Sequence, residues 1–82
     1  MAKLSTEDIK LRHSITKRFI DLRESTGMSQ SEFAKFHELD RQQVNRWESL
    51  VDARGVTIYT IQKFCTLLNI SLSDFFDDPL FK

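Results

Sequence analysis

Five segments of the chain share one order of polar and apolar side chains, in which a residue that can cap a helix stands between two apolar residues. The five capping residues are Ser5, Ser29, Asp40, Thr57 and Ser71. In the segment 28–33, Ser29 can accept a hydrogen bond from the first helical turn, and Glu32 can accept one from the Ser29 amide. Met28 and Phe33 can then pack against each other across the helix start. This repetition predicts five helices, approximately over residues 6–25, 30–37, 41–49, 58–68 and 72–77.

Each predicted helix carries an apolar stripe that is too narrow to support folding by itself, so the helices must share one core. No segment shows the alternation typical of a half-buried strand, and Gly27, Gly55 and Pro79 fall outside the predicted helices. The sequence therefore predicts a single all-α domain over residues 1–82. Its predicted core includes Ile15, Phe19, Leu22, Phe33, Ala34, Phe36, Ile58, Ile61, Phe64, Cys65 and Leu68.

The second and third predicted helices are separated by only about three residues, which is the spacing of a helix-turn-helix unit over residues 29–49. On a helical wheel, Val44 and Trp47 lie on the inner side of the third helix and polar side chains lie on the outer side. Arg, Gln and Asn bond to base edges in DNA, although the same residues would also suit a helix that is merely solvated. The helix-turn-helix position and the lack of a carboxylate among the outermost positions favour DNA. The polar residues on the outer side, its flank and the first turn of this helix are Arg41, Gln42, Asn45, Arg46 and Ser49.

The start of the second helix is a candidate anion site. Ser29, Gln30 and Ser31 surround free backbone amides at the positive end of the helix dipole, where a DNA phosphate could bind. The alternative is ordinary helix capping. Capping suits Ser29, whereas Gln30 is not needed as a cap and is better suited to a phosphate contact.

Residues 22–76 resemble the phage-repressor (Xre/Cro, lambda-repressor-like) helix-turn-helix family. The resemblance rests on the Ser29-Gln30-x-Glu32-Phe33-Ala34 opening, on the apolar positions Leu39, Val44 and Trp47, and on the turn 69–76 into the last helix. It implies a five-helix lambda-repressor-like DNA-binding domain. Two family glycines are replaced, by Glu38 in the turn and by Leu50 after the third helix, and the 49–57 loop is about three residues longer than in compact members.

The resemblance also implies roles for individual residues. Arg23 and Glu48 match a family ion pair that ties the first helix to the end of the third, so we assign Glu48 to structure. Arg54 is the expected phosphate contact of the loop after the third helix. The implied base-contacting residues are Arg41, Gln42, Asn45 and Arg46, with Gln43 facing the side. The full predicted phosphate-contacting set is Ser29, Gln30, Ser31, Ser49 and Arg54.

Composition and charge narrow the function further. Twelve basic and twelve acidic side chains give a formal net charge of zero, which counts mildly against nucleic-acid binding. Cys65 has no partner for a disulfide, and neither a signal peptide nor a membrane-spanning segment is predicted, so we expect a cytoplasmic protein.

His13 and His37 lack neighbours at metal-ligand spacing. Without an activated nucleophile or a glycine-rich phosphate loop, we expect no enzyme activity, no metal and no cofactor.

The carboxyl end is rich in large apolar side chains, with Phe75, Phe76, Leu80 and Phe81 within seven residues. Phe75 is expected in the core. The others exceed what one short helix can bury, so we predict that Phe76, Leu80 and Phe81 form a homodimer interface. A twofold dimer would place two recognition helices about one DNA turn apart on an inverted repeat.

These patterns together predict a dimeric, sequence-specific DNA-binding regulator of transcription that reads an inverted-repeat operator with helix 41–49. Repression by promoter occlusion is favoured because no ligand-binding or activating segment is apparent. The alternative is an antitoxin-like protein-interaction module that binds a protein partner through the Phe-rich end. An antitoxin that represses its own operon, or a controller of restriction-modification, would satisfy both interpretations.

Overall fold

A computed structural model describes residues 5–49 and 56–82, and in these ranges the chain forms five α-helices, a short 3₁₀ helix and no strand. The prediction of an all-α, five-helix fold is confirmed. The elements in chain order are α1 (Thr6–Ser25), α2 (Gln30–Phe36), α3 (Arg41–Trp47), α4 (Ile58–Leu68), α5 (Leu72–Phe76) and the 3₁₀ helix (Pro79–Phe81).

All five α-helices begin at the capping residues that the sequence predicts. Ser5, Ser29 and Ser71 each form a capping box, in which the cap hydroxyl and a carboxylate three residues later bond to each other's backbone amides. Asp40 and Thr57 each accept one bond from the first turn. The helix starts therefore follow from local side-chain chemistry alone.

Three helix ends differ from the prediction. α2 ends at Phe36, α3 at Trp47 and α5 at Phe76, each one or two residues early. At the end of α3 the Glu48 amide donates to two carbonyls of the preceding turn, at 3.2 and 3.1 Å, which closes the helix. Ser49 therefore lies beyond α3 and not on its outer face as predicted.

An aromatic cluster forms the centre of the core. The ring of Phe19 on α1 lies 5.7 Å from Trp47, 4.6 Å from Phe64 and 5.4 Å from Phe75, between ring centroids. Phe33 of α2 joins through Phe64, at 5.8 Å. Such pairs add to the free energy gained by burying apolar area. All five α-helices thus contribute one aromatic side chain to a single core.

Two predicted core residues are exposed. Phe36 has 69% of its surface accessible to solvent, and its ring contacts His37 at the end of α2 rather than the core. Ile58 is 50% exposed in the first turn of α4. Val56, two residues earlier, packs against the core instead. The prediction was wrong at both positions. Phe36 and Ile58 are terminal residues of their helices, and helical periodicity does not specify whether a terminal residue still contacts the core.

The turn between α2 and α3 depends on a left-handed residue. Glu38 has φ 56°, the conformation that glycine would adopt without strain. The Leu39 amide donates to the Ala34 carbonyl at 2.7 Å and closes the end of α2 around it. Glu38 therefore adopts the left-handed conformation at a cost on the order of 1 kcal/mol.

The carboxyl end folds back on the domain, which the sequence did not predict. Asp78 caps the 3₁₀ helix, and Phe81 lies 5.0 Å from Phe76 and 6.3 Å from Phe75 between ring centroids. The Ser14 hydroxyl of α1 donates to the Leu80 carbonyl at 3.2 Å. Phe76, Leu80 and Phe81 are consequently half-buried within their own chain. The apolar surplus behind the dimer prediction is therefore smaller than the sequence indicated, and the dimer interface stays a prediction.

Candidate nucleic-acid interface

α3 presents two contrasting faces. Val44 and Trp47 are buried, with 1% and 4% of their surfaces exposed, and they fix the helix against the core. The opposite face carries the predicted base-contacting side chains: Arg41, Gln42, Asn45 and Arg46 are exposed, whereas Gln43 is half-buried. The structure thus places four of the five on the accessible side of the helix.

The first two turns of α3 border an open depression of about 380 Å³, lined by Asp40, Arg41, Gln42 and Asn45. Asp40 was predicted only as a cap, and its carboxylate does accept a bond from the Gln42 amide at 2.9 Å. Because it also lines the depression, this surface contains one acidic side chain among the polar and basic ones. Because Asp40 was interpreted only as a cap, its place in the lining of the depression was not predicted.

Arg23 and Glu48 form a largely buried ion pair beneath this surface. Arg23 Nε donates to Glu48 Oε2 at 2.7 Å and Nη2 to Oε1 at 3.1 Å, with 11% and 5% of the two side chains exposed. The hydrogen bond to Glu48 is the main cause of the raised pKa of Arg23. Arg23 Nη1 also donates to the Met28 carbonyl at 2.8 Å. The Arg23 side chain therefore connects the end of α1 with Glu48 at the end of α3 and with Met28, the residue before the α2 cap.

Gln30 takes part in the same network. Its Nε2 donates to Glu48 Oε1 at 2.9 Å, and its Oε1 accepts a bond from Asn45 Nδ2 at 3.3 Å. The phosphate contact predicted for Gln30 therefore competes with two bonds inside the protein. The sequence carried no signal for these contacts, because the three residues belong to two helices and meet only when the helices pack.

Of the other predicted phosphate-contacting residues, the structure describes Ser29, Ser31 and Ser49. The Ser29 hydroxyl accepts from the Glu32 amide at 3.1 Å, so it serves as a cap. Ser31 is exposed in the first turn of α2, and Ser49 is half-buried just beyond α3. Arg54 lies outside the described residues.

A family model for the Cro/C1-type HTH DNA-binding domain matches residues 18–79, well over half of the chain. The chain belongs to this family. The match confirms the resemblance seen over residues 22–76 and includes the whole helix-turn-helix. The Cro/C1-type domain is a DNA-binding and non-enzymatic fold, so the exposed face of α3 belongs to a DNA-binding domain. Neither the curated proteins nor the solved structures yielded a match to the chain.

Two further observations concern other kinds of site. Within residues 5–49 and 56–82, the His, Cys, Asp and Glu side chains form no group of three or more that could hold a metal ion. None of the helices in the same ranges is long and apolar enough to span a bilayer.

Proposed function

We propose that this domain is a sequence-specific transcriptional regulator that binds double-stranded DNA with α3 in the major groove. One observation carries the proposal. The outer face of α3 exposes side chains that bond to base edges, while Val44 and Trp47 anchor the opposite face in the core. Membership of the Cro/C1-type family supports DNA as the partner.

The base-contacting roles follow from side-chain chemistry. Arg41 and Arg46 match the two acceptors of guanine, and Gln42 and Asn45 match the acceptor and donor of adenine. Gln43 lies at the side of the face, where its half-burial leaves less of the amide to reach a base. A well-formed bidentate pair contributes about 1–3 kcal/mol of discrimination against a wrong base.

Phosphate contacts would hold α3 in register in the groove without reading sequence. Ser31, with the amides at the start of α2, would bind one strand of the backbone, and the Ser29 cap supports that geometry. Ser49 and Arg54, which follow α3, would bind a phosphate at the other end of the helix.

Repression by a homodimer is the form of regulation we propose. A twofold dimer would place two copies of α3 about one DNA turn apart, and a bound dimer would occlude a promoter. Phe76, Leu80 and Phe81 are half-buried, so each keeps some apolar surface that a second copy could cover.

Selection from a random duplex pool at near-physiological salt, read by sequencing, tests this function. We expect enrichment of an inverted repeat, whose spacing gives the separation of the two recognition helices. If the protein is folded by circular dichroism and enriches no sequence, the proposed function is contradicted.

The alternative of a protein-interaction module had rested on the Phe-rich end. That end now packs on its own core, while Phe36 and Tyr59 elsewhere are 69% and 82% exposed. Exposed aromatic side chains are typical of protein-binding surfaces, so this alternative keeps a structural basis at a different place. It predicts little salt-dependent affinity for DNA.

A further inference from the structure

Gln30 occupies the middle of a hydrogen-bonded chain that starts at a buried carboxylate and ends on the DNA-facing side of α3. We call Glu48, Gln30 and Asn45 the amide chain. The Glu48 side chain is 5% exposed, whereas Asn45 is exposed and lines the depression at the start of α3. The amide chain therefore connects the interior with the surface that would face the bases.

The carboxylate determines the direction of every bond in the amide chain. Glu48 already receives two bonds from the Arg23 guanidinium and can only accept. Gln30 must therefore turn its nitrogen toward Glu48, which leaves its oxygen facing Asn45. Asn45 must in turn donate with Nδ2. An isolated amide could face either way, but here the ion pair selects one orientation for both.

The orientation of Asn45 has a consequence for recognition. With one Nδ2 hydrogen bonded to Gln30, Asn45 keeps Oδ1 and the second Nδ2 hydrogen for a base, and Oδ1 is the end of the amide that faces away from Gln30. Oδ1 is an acceptor. In the major groove, the N6 amino group of adenine and the N4 amino group of cytosine are donors. Guanine O6 and thymine O4, which take the corresponding positions, are acceptors.

We propose that Gln30 is a positioning residue that presents Oδ1 of Asn45 to the bases and so favours adenine or cytosine over guanine or thymine at one position of the site. This inference rests on the proposed function, since it concerns which base the α3 face prefers. It also assigns Gln30 to sequence preference rather than to the phosphate backbone.

The test compares the wild-type protein with four variants on the duplex that the wild-type protein selects. Gln30→Met keeps the length and the helix propensity of the side chain but removes both bonds. Asn45→Ala removes the amide that would contact the base. The double variant Gln30→Met/Asn45→Ala measures the energetic coupling between Gln30 and Asn45. Gln62→Met, the same substitution at an exposed glutamine of α4, is the matched control. Thermal unfolding of each protein checks that it is folded.

Affinities are measured on duplexes that carry each of the four bases at each position. We expect one position where the wild-type protein prefers adenine or cytosine by on the order of 5-fold, the size of one hydrogen bond. Gln30→Met should reduce that preference to below about 2-fold, as should Asn45→Ala, with no further loss in the double variant. Gln62→Met should leave it unchanged.

The opposing results are distinct from one another. If the wild-type protein selects a site and Gln30→Met keeps every base preference, the inference is wrong and the proposed function stands. A loss of affinity in Gln30→Met that is equal for all bases would assign Gln30 to phosphate and overturn the inference. If the wild-type protein selects no site, the proposed function fails and the inference fails with it.

Discussion

At the scale of single residues, the helix-turn-helix is held together by a polar contact in its interior. Glu48 receives bonds from Arg23 and from Gln30, so a nearly buried carboxylate has three donors. Removing one partner of such a pair leaves the other charge buried, which costs more than the intact pair contributes. The Arg23–Glu48 pair should therefore matter for stability as well as for the placement of α3.

Arg23→Met tests this contact. We expect the free energy of unfolding to fall by about 3 kcal/mol, since Glu48 would remain buried with only Gln30 to satisfy it. Urea unfolding, followed by the fluorescence of Trp47, which is the single tryptophan, gives the value. The matched control is Lys17→Met, which breaks a pair whose side chains are 57% and 38% exposed and should cost less than about 0.5 kcal/mol. Equal losses in the two variants would contradict a special role for the buried pair.

At the scale of elements, the helices begin by local chemistry and are joined by contacts that are remote in sequence. The bounds of α1 and α4 agree with the prediction because capping residues and apolar spacing mark them in the chain. The 3₁₀ helix was missed because Ser14 of α1 bonds to its Leu80 carbonyl and Arg18 of α1 bonds to its cap Asp78, about sixty residues away. Likewise, the exposed face of α3 could be read from the sequence, whereas the bonds of Gln30 could not.

The capping boxes predict how stability depends on pH. Bonds from the Ser29 amide and hydroxyl lower the pKa of Glu32, and those of Ser71 lower the pKa of Asp74. A lowered pKa in the folded state stabilises the protein above the unfolded-state pKa, and this stabilisation is lost as pH falls through the folded-state value.

We therefore expect the urea midpoint to decrease as pH falls below the ordinary Glu value of about 4.3. Glu32→Gln can still accept the bond from the Ser29 amide, but it does not titrate, so the decrease should become smaller. An identical pH profile for wild-type and variant would show that this capping box contributes nothing to the acid response.

The docking of the carboxyl end on α1 depends on Arg18. Its guanidinium donates to the Phe75 carbonyl at 2.7 Å, to the Asp74 carbonyl at 2.9 Å and to Asp78 at 3.1 Å. Arg18→Met should lower the free energy of unfolding by about 2 kcal/mol, the range for hydrogen bonds to a charged group.

The control for this variant is Lys82→Met, which removes a pair with Asp77 whose side chains are 67% and 71% exposed. We expect it to be nearly neutral in the same thermal and urea unfolding measurements. A neutral Arg18→Met would mean that the carboxyl end is held by its aromatic contacts alone.

At the scale of the whole molecule, the net charge of zero does not show which cations are paired within the protein and which are exposed. Arg18 and Arg23 of α1 form ion pairs inside the protein, and Lys17 is paired with Asp21. The α3 cations Arg41 and Arg46 are exposed. DNA affinity should therefore depend on a local surface and on few phosphates, so it should fall with rising salt, but with a moderate slope.

The central claim is that the outer face of α3 reads bases, and the ratio of affinities for the selected duplex and a scrambled duplex tests it most directly. We expect Gln42→Ala/Arg46→Ala to reduce this ratio at least about 30-fold, in line with two lost base contacts. Gln62→Ala/Lys63→Ala, which removes an exposed amide and cation on α4, should preserve the ratio. A folded α3 double variant that retains the wild-type ratio would contradict the account.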